Sequence, residues 1–245
     1  MKQLYNTIGV GYANLRKPDP RIEQAISAAL GNAKSVLNVG AGTGSYEPTD
    51  RVVTALEPSI EMIRQRPPGA PKVKQGTVEQ LPFDDDQFDA AMAVLTVHHW
   101  SDVEAGLLEM RRVAKQRLVI LTFDPTAPYF WLADYLPEIV ELDQPIMPNL
   151  SEFERLLGKI KTTPVPVPHN CTDGFLGAYW RRPEAYLNPL VRSAISTFAK
   201  LDNISDPLAK LQNDLNSGVW AEKNAHLLEL DSLDIGYRLI VKEFS

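Results

Sequence analysis

The stretch VLNVGAGTGSYEP, residues Val36–Pro48, decides the fold. Val36, Leu37 and Val39 form a short apolar run, and glycines follow it at alternate positions, Gly40, Gly42 and Gly44. A strand that ends in such a loop turns sharply and lets a ligand approach the backbone. In a dinucleotide site the loop opens a long helix, whose positive end receives the pyrophosphate. Here only SYEPTDR separates Gly44 from the next β-branched run, with Pro48 inside it, so a three-turn helix does not fit. The loop therefore suits a ligand that does not depend on that helix.

Glu57, thirteen residues after Gly44, closes the run VVTALEP. A carboxylate at the end of a second strand can accept hydrogen bonds from the two hydroxyls of a ribose. Loop and acid together point to a nucleoside without phosphate, and S-adenosylmethionine is such a molecule.

Further outward, apolar runs alternate with helix-compatible segments up to about residue 124, the pattern of βα units in a parallel sheet. The expected strands are 35–39, 52–57, 72–75, 88–95 and 117–123, several of them apolar throughout, as strands covered on both faces should be. DPRIEQAISAAL predicts a helix before the first strand, with Asp19 as N-cap, Pro20 at its first position and Ile22, Ile26, Ala29 and Leu30 on one face. After Phe123 proline and aromatic residues become frequent. Strand signals return in KTTPVPVP and in the final IGYRLIVKEF, and residues 169–233 between them read as a helical insertion.

The chain has 245 residues, 44% of them apolar, which is enough for one large α/β domain. A net charge of −6, with lysine and arginine scattered, offers no footprint for nucleic acid. One cysteine, Cys171, excludes an internal disulfide, and four histidines leave no structural zinc spacing. There is no secretory h-region at the start and no run of 18 apolar residues, so the expectation is a cytoplasmic protein without a membrane partner.

Four segments in order, VLNVGAGTG, TALEPSIEMIRQ, GTVEQLPFDDDQFDAAMAVLTVHHW and LLEMRRVAKQRLVILTF, resemble the class I S-adenosylmethionine-dependent methyltransferases, in particular the UbiE-like or type 11 small-molecule branch. The resemblance covers roughly residues 35–125. It implies a doubly wound, seven-stranded, mostly parallel α/β sheet of the Rossmann-like methyltransferase fold, order 3-2-1-4-5-7-6, with an antiparallel last strand and the helical insertion before it. The whole chain, 1–245, is then a single domain, with 125–160 and 169–233 as helical or lid segments on the substrate side. The resemblance further implies that Gly40, Ala41, Gly42 and Gly44 line the methionine moiety and Glu57 holds the ribose. By the same resemblance Pro58 and Met62 lie beside the adenine or ribose, Thr77, Val78 and Glu79 reach the adenine edge, and Leu95 and Thr96 face the methyl-donor end. The family usually has an acid at Asn38 and commonly Asp at Thr77; both residues present here still accept hydrogen bonds.

Methyl transfer from a sulfonium is an in-line displacement, so positioning and water exclusion matter most, and a base is needed only where the nucleophile must lose a proton. His98 and His99 fall just past the fourth strand, at the sheet edge where such folds bind ligands, and are candidates for that base; packing beside Trp100 is the other reading. The substrate side is expected from PTAPYFWLADYLPEI, with Tyr129, Phe130 and Trp131, and from VPHNCTDGFLGAYWRRPEAYL, with His169, Asp173, Tyr179, Trp180, Arg181 and Arg182. Tyr5 and Tyr12 are possible contacts from the N-terminal segment. An inward Arg181 or Arg182 would mean an anionic acceptor; the alternative is a solvated or paired surface arginine. DDDQFD reads as a solvated turn and not as a metal site. The expected activity is methyl transfer from S-adenosylmethionine to oxygen, nitrogen or carbon of a small acceptor. Two readings stay beside it: a non-catalytic binding module that keeps the fold, and a nicotinamide-dependent oxidoreductase.

Overall fold

The computed structural model describes residues 15–244. Helix α1, Pro20–Leu30, starts where the Asp19 carboxylate accepts the Arg21 N–H and Pro20 presets the first turn, and it buries Ile22, Ile26 and Leu30. Burial of three such side chains supplies about 1.5–3 kcal/mol each. Strands β1 (Ser35–Val39), β2 (Val52–Glu57), β3 (Lys72–Gln75), β4 (Phe88–Val94) and β5 (Ala114–Phe123) pair in parallel in the order β3-β2-β1-β4-β5. No helix separates β1 from β2. Short helix α2, Ile60–Arg64, leads to β3, and α3, Val103–Val113, leads from β4 to β5.

Beyond β5 come α4 (Glu138–Asp143), α5 (Leu150–Leu157), β6 (Lys161–Pro164) and β7 (Val167–Pro168). Residues 171–187, expected as part of a helical insertion, form 3₁₀ turns instead, because Gly174, Gly177 and Pro183 interrupt any longer run. True helices begin with α6 (Pro189–Ser193) and continue through α7 (Ser205–Ser217), α8 (Val219–Lys223) and α9 (Ala225–Leu228). The two-residue β8, Ser232–Leu233, pairs with β7, and β9, Tyr237–Glu243, then runs antiparallel between β5 and β6. The sheet order β3-β2-β1-β4-β5-β9-β6 is the expected one with β9 as the seventh strand.

Strand residues sort to the two faces by alternation. Val36, Ala90, Met92, Val119 and Leu121 join α1 and most of the insertion in one apolar core, which contains Trp131, Trp180 and Tyr186. Leu37, Ala91, Ala93, Leu118 and Ile120 join α3 and α5 in the other. Phe153 and Leu157 of α5 thus lie on the α3 face, with Arg155 paired to Glu104 at 2.9 Å, which takes the end of the 125–160 segment away from the lid expected there. Strand β4 stops one residue before its expected end because Leu95 adopts φ 51°, a left-handed conformation that no strand continues through.

Candidate functional site

The glycine loop leaves β1 through Gly40 and Gly42, both at positive φ, 66° and 54°. A Cβ on Gly40 would stand 2.2 Å from Thr96 Oγ1, so only glycine lets the loop lie against the end of β4. A Cβ on Gly42 would meet nothing within 4 Å; it would project into open space. That space is a cavity of about 410 Å³ at the C-terminal ends of β1, β2 and β4.

Asn38, Gly40, Ala41, Gly42, Glu57, Pro58, Met62, Thr77, Val78, Glu79, Leu95, Thr96 and His99 all line this cavity, joined by Arg16, Thr43, Ser45, Tyr46, Trp100 and Ser101. Gly44 is turned the other way, where a Cβ would meet Glu47 Oε2 at 3.1 Å and Arg66 Nη1 at 3.2 Å. The reason is what stands in for the missing helix. Arg66, two residues past the end of α2, donates to both oxygens of Glu47 at 2.9 and 2.7 Å, and the Asn38 amide donates to Glu47 Oε1 at 3.0 Å. Both charged side chains are only 5% exposed.

Glu57 is buried, and each of its oxygens accepts one backbone N–H at 2.8 Å, Gly42 on Oε2 and Ser59 on Oε1. Burial raises its carboxyl above the ordinary range, against the pull of those two N–H groups. Each oxygen keeps acceptor capacity on the cavity side. Glu79 accepts the backbone N–H and the hydroxyl of Ser101 at 2.9 and 2.7 Å; desolvation pushes its carboxyl up, and these bonds, with those from its own backbone and the Thr77 side chain, outweigh it and bring it down.

A second, narrower cavity of about 80 Å³ shares Arg16, Leu95 and His99 with the first. His98 and His99 both line it, their ring centroids 3.9 Å apart. Burial lowers His98 to about 3 and His99 well below its ordinary value, so both imidazoles are neutral at pH 7. Tyr129, Phe130 and Asp143 reach this cavity from the 125–160 segment, and Phe175, Leu176, Gly177 and Thr197 reach it from the insertion.

Other expected acceptor contacts go elsewhere. Trp131 donates its indole N–H to Trp180 O at 2.6 Å, and Trp180 donates to Val167 O at 2.9 Å; both rings sit in the core, 6% and 0% exposed, where each finds the polar partner a buried indole needs. Tyr179 packs edge-on to Tyr186 and under the Arg182 guanidinium. The main chain of His169 bonds to Asp231 O beside the β7–β8 pair. Arg181 donates to Leu230 O, and Arg182 donates to Cys171 O and Ala178 O, so both arginines tie the insertion together. Among the described residues, none of Trp131, His169, Tyr179, Trp180 and Arg181 lines either cavity. Tyr5 and Tyr12 lie outside the described residues. Residues 84–87 of DDDQFD form an exposed turn whose Asp85 pairs with Arg112, while Phe88 and Asp89 already belong to β4, and no three potential metal ligands converge among the described residues. No described helix is long and apolar enough to cross a membrane.

Sequence reasoning missed Asp143 and the Glu47–Arg66 pair. A signal existed for the first: Asp143 stands four residues after Ile139, on the buried stripe of α4. For the second there was none, since Arg66 reaches the loop only through the fold.

A model of a methyltransferase domain matches residues 37–121. A crystal structure described as a candidate methyltransferase from an antibiotic biosynthesis pathway of Anabaena variabilis ATCC 29413 superposes with a TM-score of 0.87 at 35% identity, over 94% of this chain and 99% of that one. The uncharacterized methyltransferase YcgJ of Bacillus subtilis is 35% identical over 104 residues, 38% of this chain and 41% of its own length. The ubiquinone/menaquinone biosynthesis C-methyltransferase UbiE of Geobacter sp. strain M21 is 32% identical over 134 residues, 45% of this chain and 57% of its own. The matched segments thus span less than two thirds of both curated relatives.

Proposed function

Because the chain belongs to the class I S-adenosylmethionine-dependent methyltransferases, we propose that it moves the sulfonium methyl group of that cofactor onto an oxygen, nitrogen or carbon nucleophile of a small organic acceptor. The observation that carries this reading is the larger cavity, where open backbone at Gly42 faces a buried carboxylate, Glu57, that keeps free acceptor capacity. That donor and acceptor set fits a nucleoside bearing two hydroxyls and no phosphate.

When bound, the cofactor supplies an electrophilic methyl group on positively charged sulfur. Gly40, Ala41 and Gly42 let its methionine part lie against the backbone, Glu57 accepts from the ribose hydroxyls, Pro58 and Met62 flank the nucleoside, and Thr77, Val78 and Glu79 face the adenine. Asn38, whose amide is engaged by Glu47, presents its carbonyl as an acceptor. Leu95, with Arg16 and His99, lies where this cavity meets the narrow one, which is the acceptor's approach. The narrow cavity, lined mostly by aromatic and aliphatic side chains, would keep water from the reacting atoms and hold the nucleophile in line, which is most of what the reaction requires. His98 and His99, held neutral, accept a hydrogen bond from the acceptor; their depressed basicity makes orientation their larger contribution and proton removal the smaller. Small-molecule acceptors in the names of relatives such as UbiE support the same acceptor class.

Calorimetric titration with S-adenosylhomocysteine tests the proposal. Wild-type protein should bind it, and Glu57→Ala should weaken binding by about 1–3 kcal/mol, the cost of leaving buried polar partners unsatisfied. Binding unchanged in the variant would overturn the assignment of Glu57, and absence of binding to the wild type would overturn the function.

A further inference from the structure

The narrow cavity has a character of its own. Phe123 packs against Tyr129 and Tyr237 with ring centroids 5.3 and 5.6 Å away, and Tyr237 against Phe175 at 4.7 Å, so four rings make one continuous wall. Among the described residues a single acid stands in that wall. Asp143, 3% exposed, accepts the Thr197 hydroxyl at 2.9 and 3.2 Å on its two oxygens and the Tyr129 hydroxyl at 3.5 Å. Among the described residues it enters no ion pair. The guanidinium of Arg16, which also lines the cavity, is engaged by Asp173 at 2.6 Å. Lys200 influences Asp143 through space only.

A buried carboxylate without a counter-ion is costly, and a cation that enters beside it removes much of that cost. Ring faces attract cations as well. The same pair of features repels carboxylates and phenolates.

Resting on the methyltransferase reading, we infer that the acceptor is an amine, primary or secondary, carried on a small apolar body, with its nitrogen placed against Asp143 inside the aromatic wall. The amine enters as its ammonium and passes one N–H proton to the Asp143 carboxylate, which frees the nitrogen lone pair. Burial raises the Asp143 carboxyl above the ordinary range, which favours this transfer, and the apolar walls disfavour the ammonium once the charge is neutralised. The lone pair forms the new N–C bond while the electron pair of the breaking C–S bond goes to sulfur. The product is an N-methylated ammonium, and Asp143 returns its proton to solvent as the product leaves.

Two isosteric trios, benzylamine, benzyl alcohol and benzoate, and butylamine, butanol and butyrate, should be titrated calorimetrically into protein saturated with S-adenosylhomocysteine. In at least one trio the amine should bind about ten-fold or more tighter than the alcohol, as a charge-assisted hydrogen bond implies, and the acid should not bind. Asp143→Asn, which keeps the volume and the Thr197 bond, should remove the preference for the amine. Equal binding of alcohol or acid, binding of neither amine, or a preference that survives in Asp143→Asn would overturn the inference. The trios on wild-type protein decide it even where the variant folds poorly. Saturation with S-adenosylhomocysteine is read in the same cell: its failure fells the methyltransferase reading and this inference together, whereas its success without amine preference fells the inference alone.

Discussion

Replacing Arg66 with methionine keeps most of the side-chain volume and removes the guanidinium that grips Glu47 at 2.9 and 2.7 Å. Both partners are 5% exposed, so solvent screens neither. Without Arg66 the Glu47 carboxylate keeps one side-chain donor among the described residues, the Asn38 amide. Stranding one member of a buried pair costs about 3–5 kcal/mol. For a chain of this size 1 kcal/mol corresponds to about 2–4 °C in Tm, so Arg66→Met should melt on the order of 10 °C below wild type. Glu47→Gln/Arg66→Met removes both charges and should recover most of the loss, because neutral replacement of a buried pair is often close to energetically neutral. Scanning calorimetry at pH 7 measures all three proteins. If the double variant melts as low as Arg66→Met, the loss comes from packing, and the Glu47–Arg66 ion pair does not stand in for the missing helix.

Gly40→Ala should destabilise twice over: the positive φ of 66° costs about 1–2 kcal/mol for any L side chain, and overlap with Thr96 Oγ1 adds about 1–3 kcal/mol. Adding Thr96→Ala should restore only the second part, a distinction urea melts resolve; full restoration or none would refute the decomposition. Stability should also fall as pH drops below 6.5, because the unfolded chain protonates His98 there while the folded protein resists until about 3. The unfolded state then holds more protons, so the slope of stability against pH is positive across that window, about 1.4 kcal/mol per pH unit for His98, with His99 acting in the same direction. His98→Asn should therefore lose about 2 kcal/mol less than wild type between pH 7 and pH 5 in urea unfolding; an identical loss in both proteins would show that His98 is not held neutral.

The sheet was legible because its strands obey simple periodicities: Ala90 to Ala93 and Leu118 to Leu121 are buried alternately on two faces, as a doubly covered strand must be. The glycine loop was legible because its φ values admit almost nothing but glycine. The absence of a helix behind it could be counted from the seven residues SYEPTDR. What lay hidden depends on contacts far apart in the chain. Trp131 and Trp180 have the composition of a binding loop, yet they bond to main-chain carbonyls within the core, and no local pattern distinguishes the two cases. Gly44 reads like its neighbours and faces Arg66 instead of the cavity, since the direction of a turn is set by what it packs against.

The insertion and the glycine loop are also bound to each other by one acid. Asp173 accepts Arg16 Nε at 2.6 Å, the Tyr46 hydroxyl at 2.9 Å and the Gly174 N–H at 2.7 Å, and it is 1% exposed. Tyr46 belongs to the loop and holds φ 62°, a conformation that costs about 1–3 kcal/mol in a non-glycine residue and persists only where its surroundings enforce it. Part of what enforces it is therefore the insertion. Asp19, the N-cap of α1, accepts the Thr172 N–H at 3.1 Å from the same segment, so three stretches of chain meet there. Phe175, which closes one wall of the narrow cavity, stands two residues from Asp173. The same few hydrogen bonds thus hold wall residues of both cavities, Tyr46 and Arg16 of the larger one and Arg16 of the narrow one, and the fixed geometry that a displacement reaction needs between donor and acceptor draws on chain that the glycine loop alone does not supply.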